Sequence, residues 1–291
     1  MPMDGQRMTK NKMSFYKMVK VGGELLGSLL FPPRCLVCDE MLAPEDVKKG
    51  IHSVCENKLY PIQGATCMHC GRMLGRYSDR MEKNTVEHLE QYAAKEYCLE
   101  CQNKGYVAKS KFAVSAKNSH INNINKTWIT QGKALYLYRG AIKQTMYRFK
   151  YSNRREYARV FARQAMQMFD FKKIDVIVPV PMYPKKKRLR GYNQAESFAA
   201  ELSYLTGIPM DKELIVRVKD TKPQKMLNDV ERKNNLKNAF QKGKSIVQYS
   251  HILVVDDIYT TGSTAQAVAK ELIKQGVSQV YFMSICIGGD M

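Results

Sequence analysis

One stretch decides the fold of this chain: His251-Ile252-Leu253-Val254-Val255-Asp256-Asp257-Ile258-Tyr259-Thr260-Thr261-Gly262-Ser263-Thr264. It opens with an apolar run rich in β-branched residues and free of proline and glycine, which predicts a buried parallel strand. Two adjacent carboxylates follow, and then a loop of small residues, most of which carry hydroxyls. From Ala265 to Ile273 the apolar positions have helical spacing. The stretch therefore predicts a strand, a polar loop and a helix start, in that order.

This order of elements suits a ligand that carries both a phosphate and a sugar. The hydroxyls and backbone N–H groups of the loop can face a phosphate at the positive end of a helix dipole. The two carboxylates repel that phosphate, but they can accept hydrogen bonds from vicinal sugar hydroxyls. An ordinary α/β protein whose strand simply ends in acids stays open as the alternative.

The same stretch resembles the phosphoribosyl-pyrophosphate (PRPP) motif of type I phosphoribosyltransferases. The resemblance implies that Asp256 and Asp257 bind the ribose. It also implies a 5-phosphate loop made of Thr260, Thr261, Gly262, Ser263 and Thr264.

Composition sets broad limits on the class of protein. The 291 residues are 44% hydrophobic, which is enough for a packed core. They include 47 lysines and arginines against 27 acidic residues, a net charge of +20, which predicts a polyanionic partner. No apolar run approaches the roughly 20 residues that a membrane-spanning helix needs, and no cleavable leader is recognisable. We therefore expect a globular cytoplasmic protein.

Seven of the eight cysteines lie between Cys35 and Cys101, and with His52 they form four pairs of two-residue spacing. The pairs are Cys35 with Cys38, His52 with Cys55, Cys67 with Cys70, and Cys98 with Cys101. Eight such donors match two closed tetrahedral zinc sites, and a reducing compartment favours metal over disulfides. The order favours two consecutive ribbons, although an interleaved arrangement would use the same donors. We expect His69 and His88 not to be ligands and Cys286 to be a core residue.

The chain is predicted to fall into four parts. Residues 1–32 form a tail with a short amphipathic helix, 33–104 a zinc-binding domain, 105–131 a polar linker, and 132–291 an α/β domain. In the α/β domain, predicted strands at 134–138, 175–181, 214–218, 251–257 and 279–287 alternate with helices. The predicted helices include 141–150, 157–169 and 194–205. This alternation predicts a largely parallel sheet whose ligands bind at the carboxyl ends of the strands. Residues 219–235 form a long polar loop of the kind that is usually functional.

Basic residues are concentrated between Arg139 and Arg190, where 15 lysines and arginines face three acidic residues, a difference of +12. The densest part, 185–190, is predicted to be a loop. The candidates for contacts with nucleic-acid phosphates are Lys150, Arg154, Arg155, Lys185, Lys186, Lys187, Arg188 and Arg190. Interleaved aromatic residues suit base stacking, although most of them individually fit a core equally well. They are Tyr136, Tyr138, Tyr147, Phe149, Tyr151, Tyr183 and Tyr192.

Four features together resemble the ComF family, from about Leu25 to the end of the chain. They are the paired cysteines, Val178-Pro179-Val180-Pro181 before Arg190-Gly191-Tyr192-Asn193-Gln194, the segment Arg232–Phe240, and the 251–264 stretch. The resemblance implies a late competence protein of the ComFC type, with a double zinc ribbon and a type I phosphoribosyltransferase-like domain. Its implied role is the handling of single-stranded DNA in natural transformation. The implied location is the cytoplasm, including the DNA-uptake machinery, and the implied partners are a competence helicase and recombination-loading proteins. His52 departs from the family pattern, because relatives commonly have a cysteine there.

Three functions follow for the chain, and they belong to different classes. It can bind single-stranded DNA, act as a phosphoribosyltransferase on PRPP with Mg²⁺ held by PRPP and water, or regulate as a PRPP sensor that binds DNA. No residue stands out as a base for an incoming nucleobase, and the local charge of +12 exceeds what one small substrate needs. We therefore expect DNA binding. Any hood over a base would have to come from residues 133–150, because only Gly288 to Met291 follow the last strand.

Overall fold

The computed structural model describes residues 32–74, 96–104, 106, 127–220, 236 and 238–288. The expected N-terminal helix, His88 and most of the 219–235 loop lie outside these residues. The chain forms two compact units, residues 1–57 and residues 58–291. Among the described residues, no helix is long and apolar enough to span a membrane.

The described part of the first unit is built from tight turns rather than from long regular elements. The chain turns back after Cys35, whose carbonyl accepts a hydrogen bond from the backbone N–H of Asp39 at 3.0 Å. Leu36 N–H donates to the carbonyl of Gly50 at 3.0 Å. A 3-10 helix at Ser53–Lys58 follows. Few of the described residues of this unit are buried and apolar, so this part of the chain needs a stabilising element other than an apolar core.

The described residues of the second unit form six strands and six α-helices. The strands are β1 (Gln131–Leu137), β2 (Val176–Pro179), β3 (Ile215–Arg217), β4 (Phe240–Lys242), β5 (His251–Tyr259) and β6 (Gln279–Ile287). The helices are α1 (Leu99–Asn103), α2 (Ala141–Tyr151), α3 (Tyr157–Ala165), α4 (Pro184–Arg190), α5 (Gln194–Thr206) and α6 (Ser263–Lys274).

The main sheet has the strand order β1-β6-β5-β2, and all of its pairings are parallel. Residues 252–255 of β5 are completely buried, as expected for a strand that helices cover on both faces. Ile252 and Val254 pack with Ala265, Val268 and Leu272 of α6. Helix α5 packs against β2 and β5. The predicted α/β fold with a parallel sheet is confirmed, and the carboxyl ends of β2 and β5 lie side by side.

Residues 185–190, predicted as a loop, instead form most of helix α4, so that prediction was wrong. Pro184 occupies the start of the helix, where its fixed φ suits helical geometry, and Gly191 ends it at φ 85°. None of the residues of α4 is buried. The helix therefore has no apolar periodicity for a sequence reading to detect.

Strand β3 does not join the main sheet. It pairs antiparallel with β4, a strand that the sequence reading missed, and the two form a separate two-stranded sheet. Residues 166–169, expected to belong to a helix, lie beyond the end of α3. Helix α6 begins two residues before Ala265, at Ser263.

The segment that carries the second set of cysteines packs directly on β1. Ile62 N–H donates to the carbonyl of Leu135 at 2.8 Å, and Gly132 N–H donates to that of Met68 at 2.8 Å. The backbones approach so closely that a Cβ on Gly71, which has φ +77°, would lie 2.6 Å from Lys133 Cα. These contacts cover the free edge of β1 and join this segment to the sheet.

Candidate metal centres and candidate ligand cleft

The first candidate metal centre consists of Cys35, Cys38, His52 and Cys55, whose donor atoms lie within 4.8 Å of one another. Cys38 Sγ is 3.3 Å from His52 Nδ1. Zinc bonds of about 2.0–2.3 Å in a tetrahedron place two donors roughly 3.3–3.8 Å apart, so the residues fit zinc. His52 Nε2 lies 3.0 Å from the carbonyl oxygen of Met41. A hydrogen bond from Nε2 to that oxygen leaves Nδ1 for the metal.

The second candidate metal centre consists of the buried cysteines Cys67, Cys70, Cys98 and Cys101, with the same 4.8 Å limit. The Sγ atoms of Cys70 and Cys98 are 3.7 Å apart, a distance that suits two ligands of one zinc ion and is far too long for a disulfide. The predicted pairing into consecutive ribbons is confirmed. His69 is outside the cluster and Cys286 is a fully buried core residue, as expected.

We expect elemental analysis of the purified protein to find two zinc ions per chain. Cys55→Ser should lower the count to one, because three remaining donors hold the first ion weakly. Cys286→Ala provides the control and should keep both ions, since Cys286 lies in β6 and ligates nothing. A count of one or none in the parent protein, or two in Cys55→Ser, would contradict the assignment.

A cleft of about 410 Å³ opens at the carboxyl ends of β2 and β5. Asp256, Asp257, Thr260 and Thr264 line it from β5 and the following loop and helix. Val180 and Pro181 line it from the segment after β2, and residues of α2 line another side. In parallel α/β folds ligands bind at this edge of the sheet, so this is the candidate ligand site.

The two carboxylates at the end of β5 have different surroundings, because successive side chains of a strand point to opposite faces of the sheet. Asp257 Oδ2 pairs with Lys150 Nζ at 2.7 Å. Asp256 Oδ1 accepts the backbone N–H of Asp257 at 2.8 Å. Burial and the neighbouring Asp257 raise the pKa of Asp256 to about 8. Burial acts in the same direction on Asp257, but the ammonium of Lys150 outweighs it and holds the pKa of Asp257 below its usual value.

At neutral pH this pair therefore has one protonated and one ionised member. Burial works against the charge of Lys150, but Asp257 raises its pKa. A neutral Asp256 can donate one hydrogen bond as well as accept others, whereas Asp257 can only accept. The cleft can therefore bind a diol without holding two negative charges side by side.

The loop after β5 turns sharply into α6. Gly262 has φ 79°, and a Cβ at this position would collide with the hydroxyl of Tyr259, so a side chain here would strain the turn. The hydroxyls of Thr261 and Ser263 are hydrogen-bonded at 2.9 Å. Of the five residues predicted for the 5-phosphate loop, Thr260 and Thr264 line the cleft, and Thr261, Gly262 and Ser263 do not.

Among the described residues, five cations line the cleft: Lys143, Lys150, Lys186, Arg190 and Arg217. Three of them were predicted as phosphate contacts, and sequence reasoning missed Lys143 and Arg217. The other predicted contacts, Arg154, Arg155, Lys185, Lys187 and Arg188, do not line the cleft.

The basic residues of α4 differ in whether they already form an ion pair with an acidic side chain. Lys187 pairs with Glu196 at 2.6 Å and Lys186 with Asp220 at 3.2 Å. Lys185 and Arg188 are exposed and form no ion pair within the part of the chain that the structure describes. These two are therefore the α4 cations that a phosphate can approach at the lowest cost.

The aromatic candidates separate into core and surface residues. Tyr136, Phe149 and Tyr192 are buried, and the hydroxyl of Tyr192 donates to the carbonyl of Phe149, so these three cannot stack on a base. Tyr147 and Tyr151 are 62% and 61% exposed. Their ring centroids are 5.0 Å apart, and both residues line the cleft.

A signal for this surface was present in the sequence. Lys143, Tyr147, Lys150 and Tyr151 have i, i+4, i+7 and i+8 spacing, which places them on one face of α2. Arg190 from α4 lies over Tyr151, with its guanidinium carbon 5.1 Å from the ring centroid. We call Tyr147 and Tyr151 the tyrosine pair.

Comparison with known proteins places these features in a family. The double zinc ribbon domain matches residues 26–102. The DNA utilization protein YhgH of Escherichia coli (strain K12) is 31% identical over 156 residues, which cover 51% of this chain and 68% of that protein. The chain belongs to the ComF family. It therefore combines a double zinc ribbon with a type I phosphoribosyltransferase-like domain.

Other members of the ComF family match to different extents. Competence protein F of Haemophilus influenzae is 37% identical over 46% of this chain, and the match spans 62% of its own length, which is less than two thirds. Competence protein ComFC of Bacillus subtilis is 23% identical over 83% of this chain and 89% of its own length. Among solved structures, the adenine phosphoribosyltransferase of Thermoanaerobacter pseudethanolicus aligns with 45% of this chain and 79% of its own. Its sequence identity is 16% and its TM-score 0.27.

Proposed function

We propose that the protein binds single-stranded DNA at the mouth of the cleft. The tyrosine pair, exposed beside the cations of α2 and α4, is the observation that carries this proposal. Proteins that bind single strands without sequence preference combine a basic groove with aromatic side chains on which bases stack. The two rings offer the stacking surface, while Lys143, Lys186 and Arg190 at the same cleft offer charge to the phosphates.

The proposed biological role is the handling of incoming DNA in competence, as the names of the relatives imply. One relative is named for DNA utilization, and two are competence proteins. The proposed location is the cytoplasm, including the DNA-uptake machinery, and the proposed partners are a helicase and recombination-loading proteins. The net charge of +20 supports a polyanionic partner.

A salt titration of binding to a mixed-sequence single strand tests the electrostatic part of this proposal. Lys185→Gln with Arg188→Gln should lower the slope of log K against log salt by about 1.4, because each lost contact removes about 0.7 for single strands. Lys187→Gln is the matched control on the same helix and should change the slope little, since Glu196 already neutralises Lys187. An unchanged slope in the double variant would exclude Lys185 and Arg188 from the contact surface.

A second candidate function for the cleft is the binding of PRPP, with Mg²⁺ bound through PRPP and water. The observation that favours it is the placement of Asp256, Asp257, Thr260 and Thr264 in one cleft at the carboxyl end of β5. A sensor needs only this binding, whereas an enzyme would also need a second substrate and a group to activate it. Calorimetric titration with PRPP and Mg²⁺, in the presence and absence of single-stranded DNA, tests binding and shows whether the two ligands compete.

A further inference from the structure

The segment that holds the second metal centre also contacts the loop and helix that follow β5. We call this segment, residues 60–74 and 96–106, the second ribbon. Lys104 Nζ donates to the carbonyl oxygen of Thr261 at 3.3 Å. The same ammonium pairs with Glu100 at 2.5 Å, and Glu100 in turn pairs with Arg72 at 2.7 Å. Because Glu100 and Lys104 flank the ligand Cys101, the metal centre fixes the position from which Lys104 reaches the loop.

A second contact joins the ribbon to the beginning of α6. Gln266, in the first turns of α6, has its side-chain nitrogen 3.0 Å from His69 Nε2, and its side-chain oxygen accepts the backbone N–H of Trp128 at 3.2 Å. His69 lies between the ligands Cys67 and Cys70, is 1% exposed, and has its Nδ1 3.0 Å from the hydroxyl of Thr127. Donation from Gln266 to Nε2 leaves Nδ1–H to donate to Thr127, so both ring nitrogens are satisfied.

A third contact connects the ribbon to the strand ends beside the loop. Arg72 Nη2 donates to the carbonyl of Gly288 at 2.9 Å, and Gly288 N–H donates to the carbonyl of Tyr259 at 2.8 Å. Loop residues 260–262 therefore lie between two residues that the ribbon holds in place. The ribbon contacts Gln266 directly, and it is linked to Tyr259 through Gly288. The carbonyl of Thr261 is fixed between them, immediately before the left-handed Gly262.

We infer that the second ribbon positions the 260–264 loop, and that Lys104 and Gln266 are the positioning residues through which it acts. A loop that binds an anion through backbone N–H groups depends on their direction, and fixing the Thr261 carbonyl fixes the plane of the following peptide. The four cysteines come from both halves of the ribbon, so a metal ion bound to them would keep Lys104 and His69 in place together. The functional meaning of this positioning rests on the proposed role of the cleft in binding a sugar phosphate.

Hydrogen–deuterium exchange of the full-length, metal-loaded protein tests the inference without a ligand. Lys104→Met should speed exchange of peptides that cover residues 256–266 by about fivefold, the change that the loss of one net hydrogen bond makes in a local opening equilibrium. Lys274→Met is the matched control, because Lys274 lies at the other end of α6 and, among the described residues, pairs with Glu271 at 3.2 Å. Lys104→Arg should restore slow exchange, and peptides of α5 should be unaffected in every variant.

Gln266→Met and a zinc determination complete the test. Faster loop exchange in Lys104→Met and Gln266→Met, with two zinc ions retained, supports the inference. Unchanged exchange in both variants overturns it. If exchange is faster only where zinc is lost, the effect comes from unfolding of the ribbon, and the assignment to these two side chains is overturned. Calorimetric titration of the parent protein with PRPP and Mg²⁺ is a separate measurement. Absence of binding contradicts the proposed sugar-phosphate ligand of the cleft, and the exchange result still decides whether the ribbon positions the loop.

Discussion

Replacing Tyr147 and Tyr151 together by alanine should weaken binding to single-stranded DNA by about 30-fold or more. Stacking of one base on an aromatic side chain contributes about 1–3 kcal/mol, so the loss of two rings costs about 2–6 kcal/mol. Both side chains are more than 60% exposed, so their truncation empties no core volume and should leave the fold intact. Fluorescence anisotropy with a labelled mixed-sequence strand measures the effect.

Two further variants make this test specific. Tyr204, on α5 and 44% exposed, does not line the cleft, so Tyr204→Ala should leave the affinity unchanged. Phenylalanine at positions 147 and 151 should retain most of the binding, because stacking needs the ring and not the hydroxyl. In the double alanine variant the slope of log K against log salt should stay at the parent value, since no charge has been removed. Equal affinity of the parent and the double alanine variant would contradict the proposed contact surface.

The elements that the sequence predicted well are those whose signals are local. Residues 252–255 could be recognised as a buried strand because every side chain is apolar, and α2 because Ile142, Met146 and Phe149 recur on one face. The metal ligands were recognisable because two thiolates in one tight turn reach one ion only at this spacing. The parallel sheet is confirmed, and the predicted donors lie in two groups of four, while their binding of zinc stays a prediction.

The predictions that failed concerned elements without an apolar pattern, or they needed information from distant parts of the chain. Helix α4 depends on Pro184 and Gly191 at its ends, since it buries nothing. An aromatic residue in a basic region is buried only if other parts of the chain pack over it. Tyr192 is buried in this way, whereas Tyr151 is exposed. Lys150 was predicted to contact DNA phosphates, and that role stays a prediction. In the structure Lys150 pairs with Asp257. The two residues are 107 positions apart and meet only in the folded chain. The contact between Lys104 and Thr261 is equally invisible in the sequence.

Asp257→Asn should destabilise the protein by about 3 kcal/mol at pH 7, because it leaves the ammonium of Lys150 largely buried without the carboxylate that pairs with it. The two side chains are only 17% and 20% exposed, so solvent compensates little of the lost interaction. The pKa of Asp257 is below its usual value of 3.8, so its contribution is present above that pH and lost as pH falls through the folded-state pKa. Urea denaturation at pH 7 should therefore show the full difference from the parent, and the difference should shrink as the pH falls below 3.8.

The double variant Lys150→Met with Asp257→Asn should recover most of the lost stability, since it removes both members of the pair. Lys143→Met serves as the control: it removes a cleft cation for which no acidic partner lies among the described residues, and it should change stability little. If the double variant is as unstable as Asp257→Asn, the unpaired ammonium is not the cause of the destabilisation.

The recovered double variant then separates ligand binding from folding. It keeps the sheet, the loop and Asp256 but lacks the one carboxylate that is ionised at neutral pH. If the cleft binds PRPP, its ribose hydroxyls lose their charged acceptor, and a hydrogen bond to a charged group contributes about 1.5–3 kcal/mol. PRPP affinity should accordingly fall by about 10-fold to 150-fold relative to the parent, as measured by calorimetry with Mg²⁺ present. Asp256→Asn in the same background should abolish the remaining binding. A stable double variant that binds PRPP as tightly as the parent would show that the carboxylate of Asp257 serves the ion pair with Lys150 and not the sugar.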